Sequence, residues 1–224
     1  KISEELASLR QSMERQEYDK IEVLAHRIID KDPKSEESIE AFGALAKRAM
    51  QQKKWDEALL YANSALEKDA HNLDLLMIAA QILHAQNKDN EAIEKLNQAI
   101  EHHSKSAEPK VIKSAILLSF LDVDRALEAS KSAYDLSPND CNVLIAYADA
   151  LYAHHDFVDA VSYYEKADAK KCALTEQSIQ YLAKLYEVHV QDPQKACVTY
   201  TRLVELAPDN AYYKASRDYQ CGLK

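Results

Sequence analysis

Alanine stands at positions 58, 92, 126 and 160, so an interval of 34 residues (58 to 92, 92 to 126, 126 to 160) occurs three times running. Each alanine opens the same pattern: Ala58/Ala62/Ala65, Ala92/Leu96/Ala99, Ala126/Ser130/Ala133, Ala160/Tyr164/Ala167 and then Ala196/Tyr200/Leu203. A looser copy is Ile21/Ala25/Ile28. The outer intervals are 37 (21 to 58) and 36 (160 to 196). Steps of four and three put these residues on one stripe of an α-helix, and small residues there let a neighbouring helix approach closely. A period of this length leaves few folds open, because each unit must bury its stripe against the next copy.

Proline falls five residues after the third member in KDPKS (Pro33), LSPND (Pro138) and LAPDN (Pro208). It stops a helix, and the neighbouring Asp, Asn or Ser suits a turn or the next N-cap. Upstream of each helix lies a second amphipathic stripe: Phe42/Leu45/Ala46/Ala49, Leu144/Tyr147/Ala148/Leu151 and Ile179/Leu182/Ala183/Tyr186. In the first and fourth units the stripe is displaced by about one position, to Leu6/Leu9/Met13 and Val111/Ala115/Leu118. An aromatic residue with acidic neighbours marks the turn between the two helices in EYDKI, KWDEA and DFVDA. The unit is therefore helix, turn, helix.

This pattern resembles the tetratricopeptide repeat (TPR) family over almost the whole chain. The resemblance implies an all-α fold, an α-solenoid of stacked antiparallel helix hairpins. It is expected to form one domain, 1–224, with repeats near 2–35, 39–72, 73–106, 107–140, 141–174 and 176–210. Residues 211–224 would then form a capping helix over the last repeat. The family's favoured first-helix glycine is replaced by Ala46, Ala80, Ser114, Ala148 and Ala183.

Composition removes most chemistry. The 2 glycines, Gly43 and Gly222, lie too far apart for a P-loop, a dinucleotide fingerprint or a nucleophile elbow. With 5 prolines they also argue against a turn-rich β fold. Lys plus Arg is 28 against 37 Asp plus Glu, a net charge of −9, which repels nucleic acid and anionic lipid at long range. No apolar run approaches the roughly 20 residues that span a bilayer, so direct membrane insertion by this segment is not expected. The chain opens on Lys1 without an initiator Met, which suggests a trimmed piece of a longer protein. Cytoplasm is the default compartment, with a bacterial periplasmic or membrane-tethered setting the alternative if the cysteines bridge.

The resemblance implies a concave groove lined by first helices. Its groove-facing positions fall on Lys47, Met50 and Gln51, then Met77, Gln81 and His84, then Asn142, Ile145, Asp149 and Tyr152, and finally Lys184. Met13 also maps there, so all 3 methionines do, and flexible thioethers suit an adaptable surface. The family's chaperone-tail clamp positions correspond to Gly43, Ala44, Lys47, Asp74 and Ile78. Only Lys47 has a suitable charge, so that clamp is not expected. Its asparagine ladder is also absent (Ala44, Ile78, Ile112, Ala146). Of 13 tyrosines, Tyr147, Tyr164, Tyr186 and Tyr200 fall on packing stripes, while Tyr152 suits an anchor.

No metal or cofactor site is expected. His102/His103 and His154/His155 are adjacent pairs, whose rings point about 100° apart on a helix, and read as solvated surface residues. The 4 cysteines form no C-x-x-C. Cys141 and Cys172 lie equally far from the fifth hairpin's turn, and Cys197 and Cys221 equally far from residue 209. Antiparallel helices bring mirrored positions level, which admits the bridges Cys141–Cys172 and Cys197–Cys221, with free thiols the alternative.

The leading functional expectation is a non-enzymatic scaffold or adaptor that binds a protein or peptide segment in its groove and supports complex assembly. The alternatives are a recruiting portion of a larger enzyme and a solenoid that self-associates into homo-oligomers through its terminal faces.

Overall fold

Among residues 2–223, which the computed structural model describes, all regular structure is helical. The helices are α1 (Ile2–Glu14), α2 (Tyr18–Lys31), α3 (Glu36–Gln51), α4 (Trp55–Leu66), α5 (Leu73–Ala85), α6 (Asp89–His102) and α7 (Glu108–Ser119). They continue with α8 (Val123–Leu136), α9 (Cys141–Ala153), α10 (Phe157–Ala169) and α11 (Glu176–Lys184). A π-helical segment (Leu185–Val190), α12 (Pro193–Leu206) and α13 (Ala211–Gln220) complete the chain. Pro33, Pro138 and Pro208 each fall two residues beyond the end of a helix. The helices form TPR-type hairpins packed on their chain neighbours, in two compact units that meet between Ile112 and Lys113.

In the N-terminal unit the alanine stripes are fully buried. Ala58, Ala62 and Ala65 of α4 pack with Ala46, Ala49, Leu76, Ala79 and Ile82, and Leu9, Ile21, Ala25, Ile28 and Leu45 form a second cluster. The charged exception is Arg48 of α3, which is buried, donates Nε–H to the Tyr18 carbonyl at 3.0 Å and pairs with Glu22.

In the C-terminal unit tyrosine does the work that alanine and leucine do elsewhere. Tyr164 and Tyr200 are fully buried beside Ala148, Ala160, Leu182, Leu185 and Leu203. Their hydroxyls are satisfied, as burial requires: Tyr164 donates to Asp149 at 2.5 Å and Tyr200 to Glu187 at 2.7 Å. Two disulfides are formed. Cys141–Cys172 ties the start of α9 to the loop after α10, with Cα atoms 5.4 Å apart, and Cys197–Cys221 ties α12 to the end of α13, at 4.9 Å.

Two kinds of junction alternate. Between hairpins, Ser35, Asn72, Asp140, Thr175 and Asn210 each accept the backbone N–H three residues on. Within hairpins, one non-glycine residue is left-handed in each: Gln16, Lys53, Asn87, Leu121, His155 and Gln191. After five of these, the following N–H bonds a carbonyl five residues back, as Lys54 does to Ala49 and Asp156 to Leu151, a Schellman-type closure. At the sixth, Asp192 reaches six residues back to Tyr186.

That wider closure explains one of the two residues by which the 36-residue interval exceeds 34. Twenty-one residues separate N-cap Thr175 from Ala196, against twenty between Asp140 and Ala160 and between Asn72 and Ala92. The extra residue is absorbed as the π-helical turn. A second extra residue lies in the loop before Thr175, where Lys171 is left-handed and Cys172 is bridged.

Candidate functional site

Steps of three and four along α3 bring Glu36, Ile39, Glu40, Gly43 and Lys47 to one face. Opposite stand Asp74, Leu75 and Ile78 of α5, with Met13 of α1 at one end. Together with Lys34, Lys68 and Asn72 from the inter-hairpin loops, these residues enclose a trough of about 710 Å³ within the N-terminal unit. Its floor is small and apolar. Gly43 keeps the packing close there: a Cβ would lie 3.3 Å from Leu75 Cδ2, which would have to shift slightly.

Part of the rim's charge is already engaged. Arg10 grips Glu40 with two bonds of 2.7 Å, Asn72 donates to Asp69 at 3.0 Å, and Lys68 Nζ lies 5.1 Å from the centre of the Phe42 ring. Among the described residues, the side chains of Lys34, Lys47, Glu36 and Asp74 have no partner. The trough thus offers free charges of both signs beside an apolar floor.

In the C-terminal unit the matching helix face is largely committed to internal contacts. Asp149 of α9 accepts from Tyr164 and from Ser178 (3.2 Å). Burial pushes its carboxyl up to about 6, against the opposing effect of those two bonds. Tyr152 stacks on Tyr181 with ring centres 4.1 Å apart. Lys184 binds Glu187 at 2.9 Å and lies 5.2 Å from the centre of the Tyr212 ring. Burial alone would raise the Glu187 carboxyl, but the Lys184 and Tyr200 bonds hold it below the usual carboxylate range.

A family model described as Tetratricopeptide repeat matches residues 49–115. The matched segment runs from the end of α3 into α7, and the helix hairpins at the observed period carry the same type of fold beyond it. The fold is of the tetratricopeptide-repeat type. No curated protein matches it by sequence. Solved TPR structures match it by fold. PilF of Pseudomonas aeruginosa superposes with a TM-score of 0.82 at 21% identity, over 99% of this chain and 97% of that one. PilW, described as a widely conserved type IV pilus biogenesis factor, gives 0.79 at 15% identity, over 96% and 97%. Cut9, in the Cut9–Hcn1 hetero-tetramer of the APC/C, gives 0.76 at 16%, over 95% and 41%.

Of the TPR positions expected to face a groove, Lys47 lines the trough, as does Met13. So do all five clamp-equivalent positions: Gly43, Ala44, Lys47, Asp74 and Ile78. Gln51, Gln81 and Asn142 are exposed outside it. Met50 packs partly buried on the core, and His84 is held by Asp89 at 2.6 Å. Met77 and Ile145 are buried and do not line the trough. For Met77 the reason is that α5, LDLLMIAAQILHA, is apolar on nearly every side and is enclosed accordingly. Asp149 and Lys184 are likewise not free groove charges, since Tyr164, Ser178 and Glu187 engage them.

Of the paired histidines, His102, His154 and His155 are exposed and His103 is partly buried. His102 stacks on His71 with centroids 3.6 Å apart, and His103 Nε2 bonds the His71 carbonyl at 2.6 Å. Among the described residues no group of three or more His, Cys, Asp or Glu is placed to hold a metal ion, and no helix is long and apolar enough to cross a membrane. The loop residues Lys34, Lys68 and Asn72 were not identified from sequence. Their only signal was their position between hairpins, beside the N-caps Ser35 and Asn72.

Proposed function

We propose that the chain is a non-enzymatic scaffold that holds an extended segment of a partner protein in the trough of its N-terminal unit. The observation that carries this reading is the coincidence of an apolar floor (Gly43, Ala44, Leu75, Ile78) with unpaired Lys34, Lys47, Glu36 and Asp74. Such a surface suits a segment bearing both charges around a small apolar side chain, because each unpaired group gains a partner when water leaves. Concave faces of stacked helical repeats are where such arrays bind other proteins. The complex named for Cut9 and the assembly role named for PilW support the same direction. Six hairpins with α13 as their cap are proposed as the working unit of this scaffold.

Two disulfides among four cysteines favour an oxidising compartment, the periplasmic alternative, over the cytoplasm. Trapping thiols with an alkylating reagent in cells before lysis reads this directly. No mass gain without reductant supports the assignment, and four alkylations overturn it.

The binding test is affinity capture with wild type beside a Lys47→Glu/Asp74→Lys variant and a Gly43→Leu variant that fills the trough. A partner retained by wild type and lost by both variants supports the reading. Equal retention would remove the trough from consideration while leaving the fold class intact.

A further inference from the structure

The six hairpin turns differ sharply between the two units. In the N-terminal unit the three residues around the left-handed position read Arg15–Gln16–Glu17, Gln52–Lys53–Lys54 and Gln86–Asn87–Lys88, all polar; Tyr18 and Trp55 follow the first two, each with an acidic residue next to it. In the C-terminal unit they carry Phe120 and Leu121, then His155, Phe157 and Val158, then Val188, His189 and Val190. Leu121 is 82% exposed and Val158 86%, while Val188 and Val190 are about half exposed.

These three turns form one edge. His154 Nε2 lies 3.6 Å from Asp124 at the start of α8, which joins the first turn to the second. The Phe157 ring stacks on His189 with centroids 3.7 Å apart, which joins the second to the third. His155 packs on the same Phe157 at 5.4 Å.

At two places the residues displayed are not the ones that the turn itself requires. Leu121 holds φ of 65°, a conformation that Asn or Gly adopts more easily, and gains no burial in return. The π-helical turn widens the backbone where Val188, His189 and Val190 are displayed, and such bulges cluster at functional positions. An exposed apolar strip of this kind marks an interaction surface.

The rim of the strip is acidic. Asp124 and Asp159 stand exposed along it, Asp156 is bonded to His154 at 2.8 Å, Asp192 accepts the Lys195 N–H at 3.0 Å, and its one arginine, Arg125, is paired with Asp122 at 2.9 Å. We infer that this edge of the C-terminal unit docks a protein segment in which Lys or Arg flanks aliphatic or aromatic residues. The apolar side chains would cover Leu121, Val158 and Val190, and the cations would meet the aspartates. This surface is separate from the proposed trough.

The test uses two fluorescein-labelled synthetic peptides, one alternating Lys and Leu and one alternating Glu and Leu. Their anisotropy is followed with wild type, a Leu121→Asn/Val158→Gln/Val190→Gln variant and the trough variant Lys47→Glu. Wild type should bind the Lys peptide about tenfold tighter than the Glu peptide, with the preference shrinking in high salt. The edge variant should lose that affinity by about tenfold while melting no lower than wild type, because Asn relieves the strain at position 121. The Lys47→Glu variant should bind as wild type does, so failure of the edge and failure of the trough are distinguishable. Equal binding of both peptides, or an edge variant indistinguishable from wild type, would overturn the inference. So would a concentration-dependent wild-type dimer in sedimentation that the edge substitutions dissolve, since the occupant would then be a second copy.

Discussion

The two halves of this chain solve the same packing problem with different chemistry. All 3 methionines lie before Ile112, whereas all 4 cysteines and eleven of the 13 tyrosines lie after it. The N-terminal unit closes its core with alanine and leucine and leaves a trough with unpaired charges. The C-terminal unit closes its core with hydrogen-bonded tyrosines and two covalent bridges, and its helix-face charges are already engaged. An apolar core can be assembled without directional bonds. A tyrosine core demands that each buried hydroxyl be matched, which fixes neighbours such as Asp149 and Glu187 in place.

Reduction should separate the halves most strongly. The bridges span 31 and 24 residues, and loops of that size stabilise by about 3–4 kcal/mol each on chain-entropy grounds. Hydrogen exchange with and without reductant should show protection lost in α9–α13 and retained in α1–α6. Loss in both would break the contrast. Next in size is Arg48→Met, which removes the second bond to the Tyr18 carbonyl and the ion pair with Glu22 and should cost about 2 kcal/mol. The 1 tryptophan, Trp55, reports the N-terminal unit alone, so its fluorescence in urea measures that loss.

Asp149 gives the C-terminal unit a pH response of defined sign. Its carboxyl is raised to about 6 in the fold, so the folded state binds the proton more tightly than the unfolded chain. That contribution is fully present below the unfolded value and is lost as pH rises through about 6. Acidification from neutrality to pH ~5 should therefore add about 1 kcal/mol, and Asp149→Asn should flatten that part of the curve. Urea midpoints at the two pH values decide it. The smallest effect lies at the turns. Lys53→Gly should stabilise by about 0.5 kcal/mol by relieving a left-handed lysine, and Asn87→Gly by less, since Asn already tolerates that conformation. Equal shifts in melting temperature would mean that turn strain plays no part.

The repeat was legible because its alanines, prolines and capping side chains are local signals at fixed spacing. Ala58, Ala92 and Ala126 are buried for the reason their spacing suggests, and mirrored cysteines lie level because antiparallel helices bring them so. The recognition surface was less legible. A spacing rule places Met77 on a face but is silent about the helices that enclose α5. It places Asp149 toward a groove but not against Tyr164 and Ser178, which come from α10 and α11. The π-helical turn was visible only as an interval of 36 instead of 34 (160 to 196), with nothing to say where the extra residues went.

The bridge between α12 and the end of α13 also decides how the molecule bears mechanical load. A repeat array pulled from its end peels one helix at a time. Traction applied near Leu223 passes through Cys221 into Cys197 and reaches α12 as a covalent tether before the hydrogen bonds of α13 are stressed. Traction on α1 meets no cross-link among the described residues, but the packing of Leu6 and Leu9 and the ion pairs of Lys31 with Glu5 and Arg10 with Glu40. Held between two tethers in an optical trap, the oxidised protein therefore gives way first from α1, and reductant removes that bias.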